Sequence, residues 1–400
     1  MTASQPLLAD HLLDGVPLPE DVREAASHAS KFAGAWAGVW DNRLKFILVV
    51  EAIEPSGKVK TVYATADNPG RYERYWRRLD GEIVDGALTV FGRLANVVFS
   101  FSKTGRLRGV LGDGVGFAVL QPLPLHEAIA GSVTPNWHIG ERRMLKTSIV
   151  EDDGATSLEM VLFLPKGEGP FPLAVVNHGS TGRGADPKLA KETWSNIWLA
   201  DVLNEHGWAA AFPQRRGRGG SDGRYDEGFS KNRSEGYSCD PTLSLAGADR
   251  ALIDIEAAVE ALHNLPEIDK SPILLAGNSR GGALSIAFAG LHRDHVAGVI
   301  NFVGGWMGVG CPETTEINQS VLNKGAAFGR PTLWLYGRDD LFYSIDHNHK
   351  NFASYLEAGG LGRFMEVDVP GKNNGHWVMV VPTLWQDEVE DYLKGLRDGK

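Results

Sequence analysis

The sequence Gly-Asn-Ser-Arg-Gly at 277–281 has the residue types of a nucleophile that attacks carbonyl groups. It follows an apolar run, 273–276, and leads into a run typical of a helix, 282–287. Small residues beside a serine allow a tight strand-to-helix turn, which leaves the hydroxyl exposed above a sheet. We therefore predict Ser279 as an acyl-transfer nucleophile. The alternative is a glycine-rich loop whose serine only caps the helix.

A serine hydroxyl is a weak nucleophile and needs a base that is held by a carboxylate. The apolar run 332–336 is followed by Asp339 and Asp340, and the last predicted strand, 364–369, is followed by a loop that contains His376. Catalytic groups of an open parallel sheet lie just beyond the carboxyl ends of its strands. We predict His376 as the base and Asp340 as its acid, and Asp339 is the alternative acid.

The tetrahedral oxyanion of acyl transfer needs backbone donors that are already in position. The amide of Arg280, directly after the nucleophile, is the first predicted donor. The second is expected in the loop that follows the apolar run 173–176, where we predict the amide of Ser180. The alternatives are the amide of Thr181, or a loop that is only a tight turn.

The types, chain order and context of these groups resemble those of the α/β-hydrolase superfamily over residues 145–397. The sequence Asn-His-Gly at 177–179, the arginine–glycine loop at 214–219, the serine turn and the sequence Gly-Arg-Asp-Asp at 337–340 are similar to the dienelactone-hydrolase and prolyl-oligopeptidase-like branch. This resemblance implies a Ser-His-Asp triad and a backbone oxyanion hole. Peptidases of this branch usually carry a large propeller domain, for which the N-terminal segment is too short.

Four further residues are candidates for substrate binding. Arg215 and Arg216 follow the apolar run 209–212 and are predicted to enter the mouth of the site, where a guanidinium would bind a substrate carboxylate. The alternative is a surface pair that forms salt bridges with nearby aspartates, Asp222 or Asp226. Trp306 and Met307 follow another strand and are predicted to lie against the acyl group. The connection 217–241 is predicted to form a lid or rim loop.

The elements that must position these residues are strands alternating with helices. Near-continuous apolar runs such as 173–176 and 273–276 are typical of a doubly wound, mostly parallel sheet covered on both faces. The strongest predicted helix is 243–265. We predict a leader at 1–30, a β-rich domain at 31–130 and an α/β-hydrolase catalytic domain at 131–400.

The N-terminal region has a period of two, which indicates strands. Turn signals, among them Asp80-Gly81 and Asp85-Gly86, separate these strands at intervals typical of short hairpins, so we predict a small antiparallel, barrel-like domain. Trp36 and Trp40 are interpreted as core residues, and a ligand cup is the alternative.

The composition excludes several function classes. A net charge of −10 does not favour nucleic acids or anionic membranes as partners. The two cysteines, Cys239 and Cys311, lack metal-ligand spacing, and we favour free thiols over a single bridge. No signal peptide is visible, which predicts a cytoplasmic protein, or a secreted or periplasmic one if a leader was removed. The oligomeric state stays open.

These observations predict a serine hydrolase that cleaves a small-molecule carboxylic ester through an acyl-enzyme and needs neither a metal nor another cofactor. Two alternatives stay open. One is an aminopeptidase or amide hydrolase of the same branch. The other is a non-catalytic protein whose N-terminal domain binds an apolar ligand.

Overall fold

The computed structural model describes residues 16–26, 29–40, 44–67, 73–93, 95–112, 114, 116–126, 140–151, 154–372 and 374–397. Much of the predicted leader, residues 1–15 and 27–28, lies outside the described residues. The chain divides into two units. One contains the described part of 5–141 together with 196–201, and the other contains 142–195 and the described part of 202–400.

The N-terminal unit is a closed antiparallel barrel, as its period-two pattern predicts. Each strand pairs with its sequence neighbours, and β1 pairs with β8 to close the ring. The strands are β1 Gly34–Trp40, β2 Leu44–Ile53, β3 Lys58–Thr65, β4 Tyr75–Val84, β5 Ala87–Val90, β6 Val97–Phe101, β7 Leu107–Leu111 and β8 Phe117–Leu123.

The interior of the barrel is apolar and includes both tryptophans of β1. Trp36 and Trp40 are buried in one cluster with Phe46 and Phe99. The indole of Trp40 donates a hydrogen bond to the Tyr63 hydroxyl at 2.7 Å, so its polar atom is satisfied inside the core. The interpretation of these tryptophans as core residues is therefore confirmed.

One predicted turn of this unit is wrong. Asp80 and Gly81 lie inside strand β4 and not between strands. A Cβ on Gly81 would lie 2.5 Å from the backbone oxygen of Thr89 on β5, so the glycine permits a close approach of two strands. The Asp85-Gly86 pair does form the turn between β4 and β5, with φ of 49° and 78°.

The second unit contains an eight-stranded sheet with the order β16-β15-β14-β13-β11-β12-β10-β9. Strands β11 to β16 pair in parallel, whereas β10 pairs antiparallel with β12. The sheet is thus mostly parallel, as predicted. Its strands are β9 Glu141–Glu151, β10 Gly154–Phe163, β11 Leu173–Asn177, β12 Ala209–Pro213, β13 Ile273–Asn278, β14 Val296–Phe302, β15 Pro331–Gly337 and β16 Leu361–Val367.

Helices connect most of these strands, as a doubly wound sheet requires. The longest, α3, begins at Pro241, where the Asp240 side chain accepts hydrogen bonds from the first-turn amides. The described helices are α1 Pro187–Ala190, α2 Ile197–Glu205, α3 Pro241–Leu262, α4 Arg280–Leu291, α5 Thr314–Leu322, α6 Ile345–Glu357 and α7 Gln386–Arg397. Among the described residues, no helix has the length and apolar character needed to cross a membrane.

The central strands explain why the predicted chemistry collects at one edge. Strands β11 and β15 are buried along most of their lengths, and β13 and β14 between them are equally apolar. Because these four strands run parallel, the loops that follow them all leave the same edge of the sheet. Asn177, Ser279, Val303 and Arg338 each stand directly after or at the end of one of these strands.

The two cysteines form a disulfide, so the preference for free thiols is wrong. Cys239 stands just before α3, and Cys311 stands just before α5. Their Cα atoms are 5.4 Å apart, although 72 positions separate them in sequence. The bridge therefore ties the end of the predicted rim loop, 217–241, to the connection that carries Trp306 and Met307.

Candidate active site

Ser279 occupies the turn between strand β13 and helix α4. Its backbone has φ of 55° and ψ of −122°, which is costly for a residue with a side chain. Its side chain makes no capping hydrogen bond to the helix, which argues against the alternative of a simple helix cap. A Cβ on Gly281 would lie 2.1 Å from the carbonyl oxygen of Asn177, so the turn is tight enough to require glycine there. The local structure thus matches the strained turn predicted from the sequence.

His376 and Asp340 form a hydrogen-bonded pair. Nδ1 of His376 lies 2.8 Å from Oδ2 of Asp340, and the aspartate side chain is fully buried. The other carboxylate oxygen accepts hydrogen bonds from the amides of Phe342 and Tyr343, at 2.7 and 3.1 Å. Asp339 is exposed and has a positive φ of 56°. The structure therefore brings Asp340, and not Asp339, to the histidine.

A chain of short contacts links the serine turn to the histidine loop. The Ser279 amide donates to the Phe302 carbonyl at 2.9 Å, and the Ser279 carbonyl accepts from the amide of Gly305 at 3.3 Å. The Tyr343 hydroxyl donates to the Gly305 carbonyl at 2.7 Å. The ring of Tyr343 lies 5.6 Å from that of His376. Ser279, His376 and Asp340 thus share one small region at the carboxyl edge.

Tyr343 lies between the serine and the histidine. Burial raises the pKa of Tyr343 to about 12, although interaction with the nearby Ser279 side chain lowers it. The phenol therefore stays protonated at neutral pH and acts as a hydrogen-bonding group there. Sequence analysis missed this residue, and its position three residues after Asp340 is the only sequence signal that points to it.

The loop after β11 approaches the serine turn closely. A Cβ on Gly179 would lie 3.1 Å from the Cβ of Ser279. The amide of Thr181 donates to the Tyr237 hydroxyl at 3.2 Å, so this donor is already occupied. The amide of Ser180 has no acceptor among the described residues, and the first-turn amide of Arg280 has no intrahelical acceptor. Of the donors proposed from the sequence, these two are the ones that remain available.

His178 forms hydrogen bonds that hold this loop in place. Its Nε2 accepts a hydrogen bond from the Arg215 amide at 3.0 Å, so the proton is assigned to Nδ1, which lies 2.8 Å from the Gly179 carbonyl. Burial, with the charges of Arg215 and Arg218, holds the pKa of His178 well below its ordinary value. The ring is therefore neutral, and its hydrogen bonds to Arg215 and Gly179 give it a structural role.

The loop after β11 carries the predicted donor Ser180, and we call it the oxyanion loop. A group that we call the buried arginine cluster lies next to it and consists of Arg215, Glu227, Tyr237, Arg280 and Trp306. The guanidinium of Arg280 stands between two aromatic rings, 3.6 Å from the centroid of Tyr237 and 4.1 Å from that of Trp306. It also donates to the carbonyls of Trp306 and Glu227, each at 2.8 Å. The Arg280 side chain is therefore fixed by two aromatic rings and two hydrogen bonds.

Glu227 supplies the negative charge of this cluster. Its Oε1 accepts a hydrogen bond from Arg215 at 2.6 Å, and its Oε2 lies 3.6 Å from Arg280. Burial by itself would raise the pKa of Glu227, but the charges of Arg215 and Arg280 outweigh burial, and the pKa lies below its ordinary value. The carboxylate stays ionised, because two buried cations surround it.

The prediction that Arg215 and Arg216 bind a substrate carboxylate is contradicted. Arg215 is buried against Glu227, and Arg216 is buried against Asp254 and also binds Glu151 at 2.7 Å. The alternative, a surface pair with Asp222 or Asp226, is wrong as well. Both guanidinium groups already have carboxylate partners inside the fold, so neither is left for a substrate carboxylate.

Trp306 is also not where the sequence predicted. Its ring is buried against Arg280, and its indole donates to the carbonyl of Ser244 at 2.9 Å. The visible partners of this ring are therefore protein groups of the fold and not an open surface for an acyl group. The neighbouring Met307 is buried, and its amide donates to the Asn318 side chain at 2.8 Å. Its contact with an acyl group stays a prediction.

Among the described residues, no group of three or more histidine, cysteine, aspartate and glutamate side chains is arranged to hold a metal ion. The arrangement at the carboxyl edge is instead suited to nucleophilic attack with general-base help and backbone stabilisation of an oxyanion.

One family model matches part of the chain. A model of the acetyl xylan esterase family (AXE1) matches residues 154–304. This range runs from β10 to just beyond β14 and includes Ser279, but not Asp340 or His376. A search of curated protein sequences finds no match.

Several solved structures are similar at low identity. The esterase Pf2001 of Pyrococcus furiosus has 16% identity, covers 65% of this chain and 92% of its own, and gives a TM-score of 0.44. Est1E of Butyrivibrio proteoclasticus has 14% identity with coverages of 63% and 99% and a TM-score of 0.42. The acylaminoacyl peptidase of Pyrococcus horikoshii has 12% identity, coverages of 90% and 70% and a TM-score of 0.45.

At these identities the functional conclusion rests on the family match and not on the solved structures. The observed sheet order, the strained serine turn and the match to an esterase family agree with the resemblance drawn from the sequence motifs. The chain resembles α/β-hydrolases: it combines a mostly parallel sheet and a strained serine turn with an N-terminal antiparallel barrel, and residues 154–304 match an esterase family.

Proposed function

We propose that this protein hydrolyses carboxylic esters with a triad of Ser279, His376 and Asp340 and an oxyanion hole formed by the amides of Ser180 and Arg280. The observation that carries the proposal is the pairing of His376 with a fully buried Asp340 at the edge where Ser279 adopts its strained turn. This combination of a nucleophile, a base and an orienting carboxylate is the arrangement that acyl transfer requires.

Acylation starts with attack of the Ser279 Oγ on the ester carbonyl carbon. His376 Nε2 accepts the hydroxyl proton, and the carbonyl oxygen becomes an oxyanion that the two amides stabilise. Asp340 fixes the proton of His376 on Nδ1, 2.8 Å away, so Nε2 is free to act as the base. When the tetrahedral intermediate collapses, the bond to the alcohol oxygen breaks, and Nε2 returns the proton to that oxygen.

Deacylation repeats these steps with water. His376 takes a proton from a water molecule that attacks the acyl carbon, and then gives the proton to Ser279 Oγ as the acyl bond breaks. The carboxylic acid leaves, and the free enzyme is restored. Every proton transfer in the cycle uses Nε2, and the chemistry requires no other reactant than water.

A fluorophosphonate probe tests the nucleophile directly. The probe forms a stable bond with an activated serine, so peptide mass spectrometry is expected to find the label on Ser279 and no label in Ser279→Ala. Ser234→Ala, which changes an exposed serine outside the site, is the matched control and is expected to label normally.

A substrate panel is the second experiment, and it compares the hydrolysis of acyl esters with that of aminoacyl anilides. Labelling at another residue, or cleavage of anilides alone, would contradict the proposal.

A further inference from the structure

Four exposed apolar side chains lie near the proposed catalytic histidine. We call this group the histidine rim, and it consists of Val309, Leu341, Phe342 and Trp377. All four side chains are exposed, with 42% of Phe342 and 46% of Trp377 accessible to solvent. Large aromatic side chains are seldom left exposed together without a function, because their exposure to water is unfavourable.

Ring contacts place two of the rim residues beside the imidazole. The ring of Phe342 lies 4.6 Å from the imidazole of His376. The ring of Trp377, which is the next residue after His376, lies 6.2 Å from the same imidazole. The Phe342 amide donates to Asp340, which ties its position to the catalytic acid. The Phe342 carbonyl accepts from the amide of Val309 at 2.9 Å, which brings a third rim residue to the same place.

The proton transfer during acylation indicates which part of a substrate lies at the histidine rim. During acylation Ser279 Oγ bonds to the carbonyl carbon, the bond from that carbon to the alcohol oxygen breaks, and His376 Nε2 gives its proton to that oxygen. The leaving oxygen must therefore be within hydrogen-bonding distance of Nε2. The carbon chain attached to this oxygen lies next to the residues that flank the imidazole, whereas the acyl chain starts at the carbonyl carbon.

We infer that the histidine rim is the binding site for the alcohol portion of the ester, and that the preferred alcohols are apolar, with alkyl or aryl groups of several carbons. This inference rests on the proposed function. Phe342 and Trp377 would cover an apolar alcohol and remove it from water, with a gain of about 0.8 kcal/mol for each CH₂ group that is fully buried. We expect an acyl group of the same size to gain less from these side chains, because it extends from the carbonyl carbon and not from the leaving oxygen.

Two isomeric esters distinguish binding of the alcohol group from binding of the acyl group. Hexyl acetate carries six carbons on the alcohol and ethyl hexanoate carries six on the acyl group, so their composition is identical. We expect Phe342→Ala and Trp377→Ala each to lower the ratio of kcat/KM for hexyl acetate to that for ethyl hexanoate by about tenfold. Leu356→Ala is the matched control, because Leu356 is also 42% exposed but lies on helix α6 away from the histidine. It is expected to keep the wild-type ratio.

The acetyl-enzyme offers a second readout. Hexyl acetate and ethyl acetate form the same acetyl-enzyme, so its rate of hydrolysis does not depend on the alcohol. The rim variants are expected to change the acylation rate with hexyl acetate in single-turnover experiments far more than the rate with ethyl acetate. Equal losses with both esters would mean that the substitutions disturb His376 and not alcohol binding, and would overturn the inference.

The possible outcomes distinguish the inference from the proposed function. If the wild-type protein cleaves neither ester nor an acetylated xylo-oligosaccharide, the ester hydrolase assignment itself fails. If it cleaves both isomers and the ratio stays within twofold in both rim variants, only the alcohol site is wrong. The rim variants could also lose more kcat/KM with the acetylated xylo-oligosaccharide than with hexyl acetate. That result would overturn the choice of an apolar alcohol and identify the rings of Phe342 and Trp377 as a sugar-binding surface.

Discussion

The two sides of Ser279 are built differently. On one side stands His376, whose side chain is 11% exposed and whose charge partner is a single carboxylate, Asp340. The exposed rings of Phe342 and Trp377 lie beside the histidine. On the other side stands Arg280, enclosed by the buried arginine cluster, where the side chains of Arg215 and Glu227 are each only 2% exposed.

This difference follows from what each side must do. A group that moves protons must reach substrate and water, so it stays partly accessible and few residues hold it. Oxyanion donors must instead stay fixed while charge develops, because reorganisation would reduce their effect. Dense packing of charges and rings around Arg280 and Tyr237 provides such rigidity. We therefore expect substitutions on the histidine side to stop chemistry and those on the arginine side to weaken it.

The largest effect is expected for Ser279→Ala, which removes the group shared by both sides. The change deletes one hydroxyl from a turn whose glycines remain, so the fold should be retained. We expect kcat for ester hydrolysis to fall by about 10⁴-fold or more, with an unfolding midpoint close to that of the wild type. A variant that keeps more than a few per cent of the activity would show that another residue is the nucleophile.

The second prediction concerns the histidine side alone. Asp340→Asn leaves a side chain of the same shape but removes the charge that orients His376, and kcat is expected to fall by about 10³- to 10⁴-fold. Asp339→Asn is the matched control on the adjacent residue, and we expect a change of less than about fivefold because this carboxylate is exposed. The reverse ranking would assign the acid to Asp339, the alternative raised by the sequence.

The reaction centre was more predictable from sequence than its surroundings. The serine turn is local, since Gly281 and the apolar run before Ser279 leave few other conformations for the chain. The proposed acid and base follow strands whose carboxyl ends share an edge, so strand prediction was enough to bring them together. Gly81 shows the limit of local signals, because an aspartate before a glycine reads as a turn unless the close approach of Thr89 is known.

The surroundings depend on partners that lie far apart in the chain. The roles of Arg215 and Arg216 are decided by Glu227 and by Asp254, which is 38 residues from Arg216. The Cys239–Cys311 bridge spans 72 positions. No periodicity or motif records such pairs. The same limitation hid Tyr237, which contacts both the oxyanion loop and Arg280.

The third prediction tests the arginine side through Tyr237. Tyr237→Phe keeps the ring on Arg280 but removes the hydroxyl that accepts the Thr181 amide, next to the proposed donor Ser180. We expect kcat to fall by about three- to tenfold with little change in KM, because a loosened oxyanion loop affects the transition state most. The predicted loss is far below that of Asp340→Asn.

Tyr225→Phe is the matched control for this experiment. Its hydroxyl belongs to the same network, 2.6 Å from that of Tyr237 and 3.0 Å from Glu227, but no hydrogen bond joins it to the oxyanion loop. Both variants are expected to lose about 1 kcal/mol of stability in urea unfolding. Only Tyr237→Phe is expected to lower kcat. Equal losses of kcat would mean that the network acts only through stability.

The smallest effect is expected in the pH dependence of stability, through His178. The folded protein keeps this ring neutral, because burial and the charges of Arg215 and Arg218 hold its pKa well below the ordinary value. The unfolded chain takes up a proton below about pH 6.5. Below that pH the unfolded state therefore binds more protons than the folded state, and the stability contributed by the neutral ring is lost as the pH falls.

Comparison of the wild type with His178→Gln isolates the contribution of the His178 ring to the pH dependence of stability. At pH 7 the wild type is expected to be more stable, because the variant loses the buried hydrogen bonds to Arg215 and Gly179. Between pH 6.5 and 5 this advantage should shrink at a rate that approaches about 1.4 kcal/mol per pH unit, the value for one proton. The measurement is the free energy of unfolding in urea at each pH. Parallel curves for the two proteins would show that His178 is protonated in the folded state, and that the arginine side of Ser279 tolerates a further buried charge.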